Sequence, residues 1–210
     1  MFFAFLLISY LLGSLPFAIW ISKFFFHKDI RTLGSGNAGS TNMYRNFGFK
    51  AGFLTQVLDI TKSYIATLLP VFLNIDEYSS TFYLLILGVV SVIGHVYPVF
   101  AGFKGGKGVN SVLGMMLAIA PIYTLLCLLV FFMVLWIWEY VSLGSMVATF
   151  SFLIFQLVAY FWGYELDYIL LFTGLILTLF IVFTHRENIQ RIKNGTESKA
   201  SFIKKLKNNE

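Results

Sequence analysis

Residues 109–138 read VNSVLGMMLAIAPIYTLLCLLVFFMVLWIW, thirty consecutive positions without an acidic or basic side chain. At a rise of 1.5 Å per residue such a helix would run ~45 Å, half as long again as the ~30 Å hydrocarbon core of a bilayer. One straight span cannot use that length. Proline lacks an amide N–H and crowds the preceding turn, so Ala120-Pro121 is the natural break, leaving a short span over 109–120 and a second over 122–138. Working outward, comparable apolar runs occupy 2–22, 51–73, 81–100, 142–162 and 166–184. With 58% hydrophobic and 12% charged residues, and a mean hydropathy of +0.80, the chain reads as an all-α polytopic membrane protein. A soluble fold is excluded. The spans consume nearly all of residues 1–210, so one integral membrane domain is expected. The lone Cys127 lies inside an apolar run and offers neither a disulfide framework nor a cysteine metal site.

The charges orient these spans. Of fifteen Lys and Arg residues, all but Lys62 fall within 23–50, at Lys104 and Lys107, or within 186–207. The positive-inside rule places those three segments on the cytoplasmic side. The turns holding Asp76, Glu77, Glu165 and Asp167 carry only acids and fit the outer face. The 55 residues of 108–162 must then cross an odd number of times, and they are too many for one crossing. Seven transmembrane helices result, with the N-terminus outside and the C-terminus cytoplasmic. Five spans, with 108–138 and 141–184 as long kinked passages, are the alternative. The first run has no basic residues before it and gains Lys23, Lys28 and Arg31 after it, as a retained span does and a cleaved leader does not. Gly13 and Pro16 are expected to bend it.

The polar centre of the chain is Gly34-Ser35-Gly36-Asn37-Ala38-Gly39-Ser40-Thr41-Asn42, with Arg45 three residues beyond. Glycines permit positive φ and close approach, while Ser35, Asn37, Ser40, Thr41 and Asn42 add donors beside exposed N–H groups. The guanidinium of Arg45 is a planar fork suited to phosphate. A solvated loop is the plainer reading. The spacing Gly34-x-Gly36-x-x-Gly39, with Asp59 further on, also imitates a dinucleotide fingerprint. That fingerprint needs a strand before it, and a membrane span stands there instead.

A second cluster runs from Gly94-His95 through Lys104-Gly105-Gly106-Lys107-Gly108. Two ammonium groups flanking a glycine pair suit a doubly charged phosphate. It is not a Walker A loop, because Ala101 stands where that motif needs glycine and Gly108 where it needs Ser or Thr. A snorkelling basic turn that sets orientation is the structural reading. The third cluster is Thr184-His185-Arg186-Glu187-Asn188 to Asn194-Gly195. Thr184 and Glu187 have capping-box spacing and Asn194-Gly195 is a stop signal, which predicts a short amphipathic helix. Phe202, Ile203, Lys204, Lys205 and Lys207 read as a tail on the lipid surface. Within the second run, Asp59 and Lys62 share a helix face and are expected to pair, since each ionised group costs roughly 2.5–3.5 kcal/mol at a helix centre. His95 and Ser142 fall near cytoplasmic ends of spans, His95 in a secondary, structural role. No metal-ligand spacing, Ser-His-Asp set or His-x4-Asp pair is present, so chemistry has to come from binding, orientation and charge stabilisation.

Taken together, Gly13-Ser14-Leu15-Pro16-Phe17, Gly34 to Asn42, Leu58-Asp59-x-x-Lys62, Gly94-His95 through Gly108, and His185-Arg186-Glu187-Asn188-Ile189 to Gly195-Thr196-Glu197 resemble the bacterial acyl-phosphate-dependent glycerol-3-phosphate acyltransferases. The resemblance covers nearly the whole chain. It departs at Ala38, where the family usually has Pro, at Ser40, where it has Ala, and at Ser63, where Gly often follows the lysine. It implies transfer of a fatty acyl group from acyl phosphate to the 1-hydroxyl of sn-glycerol 3-phosphate, giving lysophosphatidic acid and phosphate on the cytoplasmic side of the bacterial inner membrane. Arg45, Lys104 and His185 would be catalytic. Ser35, Gly36, Asn37, Ser40, Thr41, Asn42, Gly105, Gly106, Lys107, Gly108, Ser142 and Asn188 would bind substrate and its phosphate, with Asp59, Lys62 and His95 structural. The partners implied are acyl phosphate, glycerol 3-phosphate, the phospholipid bilayer and the soluble enzyme that makes acyl phosphate. No cofactor, metal or nucleic acid is expected. The competing class is a transporter of a phosphorylated metabolite, although transporters bind near the midplane between repeats and no repeat is evident here.

Overall fold

A computed structural model describes residues 1–200, and every regular element among them is helical. The residues from 201 onward, including the tail read above as a lipid-surface segment, lie outside the described residues. The described chain forms two compact units that meet in sequence at Ala120-Pro121, the break expected from proline.

The first unit holds α1 (Phe2–Gly13), α2 (Phe17–Phe26), α3 (Ser40–Thr67), α4 (Leu69–Phe72), α5 (Thr81–Val96) and α6 (Val109–Ile119). Its first apolar run is broken at Ser14-Leu15-Pro16, as Gly13 and Pro16 predict. Gly13 lies against the Ser91 backbone and Gly94 against the Tyr10 carbonyl, so neither position has room for a Cβ. Helices without a hydrophobic driving force between them associate through such small-residue contacts. α3 runs antiparallel to α1, since Ser9 donates to Ala66 O (3.1 Å) and Lys62 to Leu15 O (2.8 Å). It is antiparallel to α5 too, through Ser91 to Ser63 (3.0 Å) and the approach of His95 to Asp59.

α3 differs from the expected 51–73. It starts at Ser40, inside the glycine-rich stretch, and bends at Gly48 (φ 81°, ψ −177°) before continuing to Thr67. Two-thirds of that stretch is therefore a loop and one-third a helix start. The helix extends upstream because Gly39 is an extended N-cap whose carbonyl already accepts from Asn42 and Met43 N–H (3.1 and 3.2 Å).

The second unit holds α7 (Pro121–Trp138), α8 (Val141–Phe161), α9 (Tyr168–Thr184) and α10 (Arg186–Lys193). α7 and α8 turn at Glu139, which adopts φ 64°, and run antiparallel, Phe131 lying on Gly144 and Tyr123 on Phe152. α8 and α9 are likewise antiparallel, with Gln156 reaching Leu170 O (3.4 Å) and Thr178 reaching Thr149 O (3.3 Å). Residues 141–184 are thus two antiparallel helices rather than the single kinked passage of the five-span alternative. Four segments among the described residues are long and apolar enough to cross a bilayer: Phe2–Phe26, Thr81–Ala101, Pro121–Trp138 and Val141–Phe161. A fifth is added when α9 and α10, bent by 59°, count as one. α3 misses that test because it carries Lys50, Asp59 and Lys62, and α6 is short.

Asp59 and Lys62 pair as expected, Nζ to Oδ1 at 2.8 Å, with side chains 2% and 3% exposed. The C-terminal stop is also as read, with Asn194 closing α10 and Gly195 at φ 68°. The capping box is not formed. His185 occupies the N-cap without a side-chain cap bond, and the Thr184 hydroxyl donates backward to Ile181 O (3.0 Å). Thr184 ends α9 and spends its hydroxyl on that helix's own last carbonyls.

Candidate anion-binding site

The glycine-rich loop is shaped by Asn42, which is 2% exposed. Its amide nitrogen donates to the carbonyls of Ile30 (3.1 Å), Leu33 (2.9 Å) and Asn37 (3.0 Å). Its Oδ1 accepts from Ser35 N–H (3.2 Å) and Asn46 Nδ2 (2.9 Å). Asn42 therefore closes the loop on itself and holds Ser35 exposed at its tip. Gly34 (φ 55°) and Gly36 (φ 69°) supply the left-handed backbone needed on either side of Ser35. Upstream, the Asp29 carboxylate takes Arg31 through Nε (3.0 Å) and Nη2 (2.8 Å), and Lys23 stands at 3.4 Å. The Arg31 hydrogen bonds hold Asp29 well below the usual carboxylate range, and Asp29 in turn raises Arg31. The remaining guanidinium nitrogen donates to Ala101 O (3.0 Å), tying the first polar loop to the second.

The second loop folds back over the end of α5. Gly105 N–H donates to Val96 O (3.2 Å) and Gly106 N–H to His95 O (3.3 Å). Gly105 has no room for a side chain, because a Cβ would overlap the His95 carbonyl. Lys104 is exposed and Lys107 half-buried on either side of that glycine pair. Gly108, at φ 87°, starts α6. At the second position of that helix, Asn110 Nδ2 donates to Ser40 Oγ (2.9 Å), joining the start of α6 to the start of α3.

Two helix N-termini are thereby fastened together. The first N–H groups of a helix have no partner within it and carry the positive end of its dipole. With Ser35, Thr41, Arg45, Lys104 and Lys107 on the same loops and first turns, the site suits a phosphate group. Asn110 was not singled out from sequence. Its only sequence signal is its place just inside a helix that follows a glycine. Asn42 and Ser40, expected to bind substrate, here direct their side chains to protein atoms: Asn42 to the loop and Ser40 to Asn110.

The second unit assembles a different cluster. Glu197, 6% exposed, accepts from Asn188 Nδ2 (2.7 Å) and Ser142 Oγ (3.0 Å) at one oxygen and from Arg191 Nε (2.7 Å) at the other. Burial pushes its carboxyl up, and the hydrogen bonds from Arg191, Asn188 and Ser142 outweigh that and leave it lowered. Sequence reading placed Ser142 and Asn188 in the site but gave Glu197 no role, for nothing local in Gly195-Thr196-Glu197 marks it as a hub. His185, 4% exposed, puts Nδ1 2.8 Å from Ile181 O. A carbonyl can only accept, so Nδ1 carries a hydrogen and donates it to Ile181 O.

A helical membrane protein whose first two polar loops are fastened at two helix N-termini is the class that fold and site define. The family model for glycerol-3-phosphate acyltransferase matches residues 3–195. Glycerol-3-phosphate acyltransferases of Listeria welshimeri (45% identity, 94% of this chain, 96% of the relative) and Enterococcus faecalis (43%, 96% and 94%) are among the similar proteins. The crystal structure of PlsY (YgiH), an integral membrane glycerol 3-phosphate acyltransferase, in its glycerol 3-phosphate form superposes with a TM-score of 0.83 at 38% identity over 94% of both chains. Its lysophosphatidic acid form gives 0.79. The chain belongs to the glycerol-3-phosphate acyltransferase family, in its PlsY branch, and is an integral membrane enzyme of lipid biosynthesis that acylates glycerol 3-phosphate.

Proposed function

We propose that the acyl donor is acyl phosphate and the product lysophosphatidic acid. The acceptor's 1-hydroxyl oxygen attacks the acyl carbon, the bond from that carbon to the phosphate oxygen breaks, and inorganic phosphate leaves with the electron pair. The observation that carries the reading is the fastening of two helix starts by Asn110 and Ser40 beside Lys104, Lys107 and Arg45. Both substrates bring phosphate to such a cradle. Preorganised donors aimed at developing charge stabilise the transition state without reorganising during reaction. In our reading Ser35, Gly36, Asn37, Thr41, Gly105, Gly106 and Gly108 line the cradle by backbone and side chain, while Ser40 and Asn42 hold its shape.

The proton of the attacking hydroxyl goes to a phosphate oxygen of the donor, a base carried by the substrate itself. From the resemblance of the third motif, His185 is an orienting hydrogen-bond partner in the same reaction, with Asn188 and Ser142 held in place by Glu197. The reaction faces the cytoplasm at the bacterial inner membrane, and the chain makes seven crossings with its N-terminus outside. Supporting that topology are the three basic segments and the antiparallel pairs α1/α3, α3/α5, α7/α8 and α8/α9. Single-cysteine labelling in a Cys127→Ser background tests it: position 165 should label from outside and position 106 from inside, and the reverse would refute it. The activity is tested with purified protein, acyl phosphate and glycerol 3-phosphate, without coenzyme A or acyl carrier protein. Lysophosphatidic acid and phosphate should appear in equal amounts. Activity only after adding acyl-coenzyme A would refute the proposed donor.

A further inference from the structure

His95 sits at the last turn of α5, 6% exposed, with its ring between two features that the reaction does not explain by itself. On one side Nδ1 lies 3.5 Å from Asp59 Oδ1. Asp59, 1% exposed, is fixed by Lys62, whose ammonium also donates to Leu15 O (2.8 Å) at the break between α1 and α2. On the other side the ring tip rests on Gly106. A Cβ there would overlap Nε2 and stand 3.0 Å from Cε1 and 3.3 Å from Cδ2. Gly106 is not at positive φ, so its backbone would accept alanine and only the imidazole forbids it. The same residue's carbonyl receives the Gly106 N–H (3.3 Å).

We infer that His95 is a positioning residue for the Gly105-Gly106 turn, its Asp59-aimed imidazole setting where Lys104 and Lys107 meet the phosphate of glycerol 3-phosphate. This rests on the phosphate-cradle reading above and extends it into the membrane-embedded part of the first unit. A carboxylate paired to a lysine cannot drift in a low-dielectric interior, because separating the two charges is costly there. The ring that Asp59 faces inherits that rigidity. The glycine turn is then seated from below by a side chain and from within by two backbone hydrogen bonds. A buried ion pair otherwise hard to account for in a span becomes the foundation of the loop.

The test is a double-variant cycle read as KM for glycerol 3-phosphate and kcat, with variants compared only when they unfold thermally like wild type. G106A should push the turn off the ring and raise KM about tenfold, a modest fraction of the ~100-fold that ångström-scale misplacement can cost. H95A should leave the turn unsupported and raise KM by about as much. With the ring gone, the added methyl has room, so H95A/G106A should stay near tenfold. Independent sites would multiply to about a hundredfold, and that result would overturn the inference. If H95A does not fold, H95N, which still reaches toward Asp59 but withdraws the ring tip, takes its place in the same cycle. K104A serves as the reference for the cradle. Should K104A leave KM unchanged, the cradle reading falls and this inference with it. A raised KM in K104A with multiplying losses at 95 and 106 would overturn this inference alone.

Discussion

Replacing Asn42 by alanine removes five hydrogen-bond contacts from one loop. Its two amide hydrogens are shared among the carbonyls of Ile30, Leu33 and Asn37, and Oδ1 receives Ser35 N–H and Asn46. The loop carbonyls nearest solvent can turn to water, and a replaced hydrogen bond of this kind contributes about 0.5–1.5 kcal/mol. The Ile30 carbonyl belongs to a fully buried residue but keeps the Leu33 N–H (3.2 Å), so it loses only its second donor, also at about 0.5–1.5 kcal/mol. The expected loss is about 3 kcal/mol, felt in the protein without substrate. A loop that no longer holds Ser35 in place should also lower kcat/KM for glycerol 3-phosphate by about a hundredfold. Both are measured on detergent-purified protein, by thermal unfolding without ligand and by steady-state kinetics. If N42A lost activity with unchanged thermal stability, Asn42 would be acting on the substrate and not on the loop, and the reasoning would be refuted.

Three further outcomes follow from the sites. Arg45→Ala and Lys104→Ala each remove a charge-assisted phosphate contact of roughly 1.5–3 kcal/mol, so activity should fall about ten- to a hundredfold in each. Near-normal turnover in both would sink the cradle. Glu197 has a carboxyl lowered from its ordinary value of 4.5, so its unfolded form binds protons more readily, and its contribution is complete above that value and fades as pH falls through the lowered one. In acid titrations of thermal stability, E197Q should be less stable than wild type by about 1–3 kcal/mol near neutrality, the gap closing below pH 4.5. A gap independent of pH would show that the charge is not what matters. His185→Gln keeps a hydrogen-bonding group but cannot titrate. With proton transfer assisted by the substrate, it should retain the pH–rate profile and lose less than the 10²–10⁴-fold typical of a missing base. A loss of that size together with a vanished step near pH ~6–7 would make His185 the base.

Much of the fold lay open in the chain because its signals are local. Proline and glycine break helices wherever they stand, so Pro16, Pro121 and Asn194-Gly195 marked ends that the structure keeps. Asp59 and Lys62, three residues apart on one helix, pair because each charge, once buried, needs a partner. The polar residue types and their clustering likewise marked the loops that the structure folds back on themselves.

What the chain could not announce were contacts between residues far apart. The pairing of Asn110 with Ser40 spans 70 positions, and the seat of Gly106 on the His95 ring depends on how α5 ends and where the loop returns. Glu197 gathers Ser142 from 55 residues away, which no spacing rule contains. Thr184 and Glu187 had the spacing of a capping box, yet the hydroxyl found Ile181 O first. Local rules fix which backbone groups lack partners, while tertiary packing decides which distant side chain reaches them. That is why helices and charges were legible from sequence, and the long-range side-chain contacts that shape the polar loops were not.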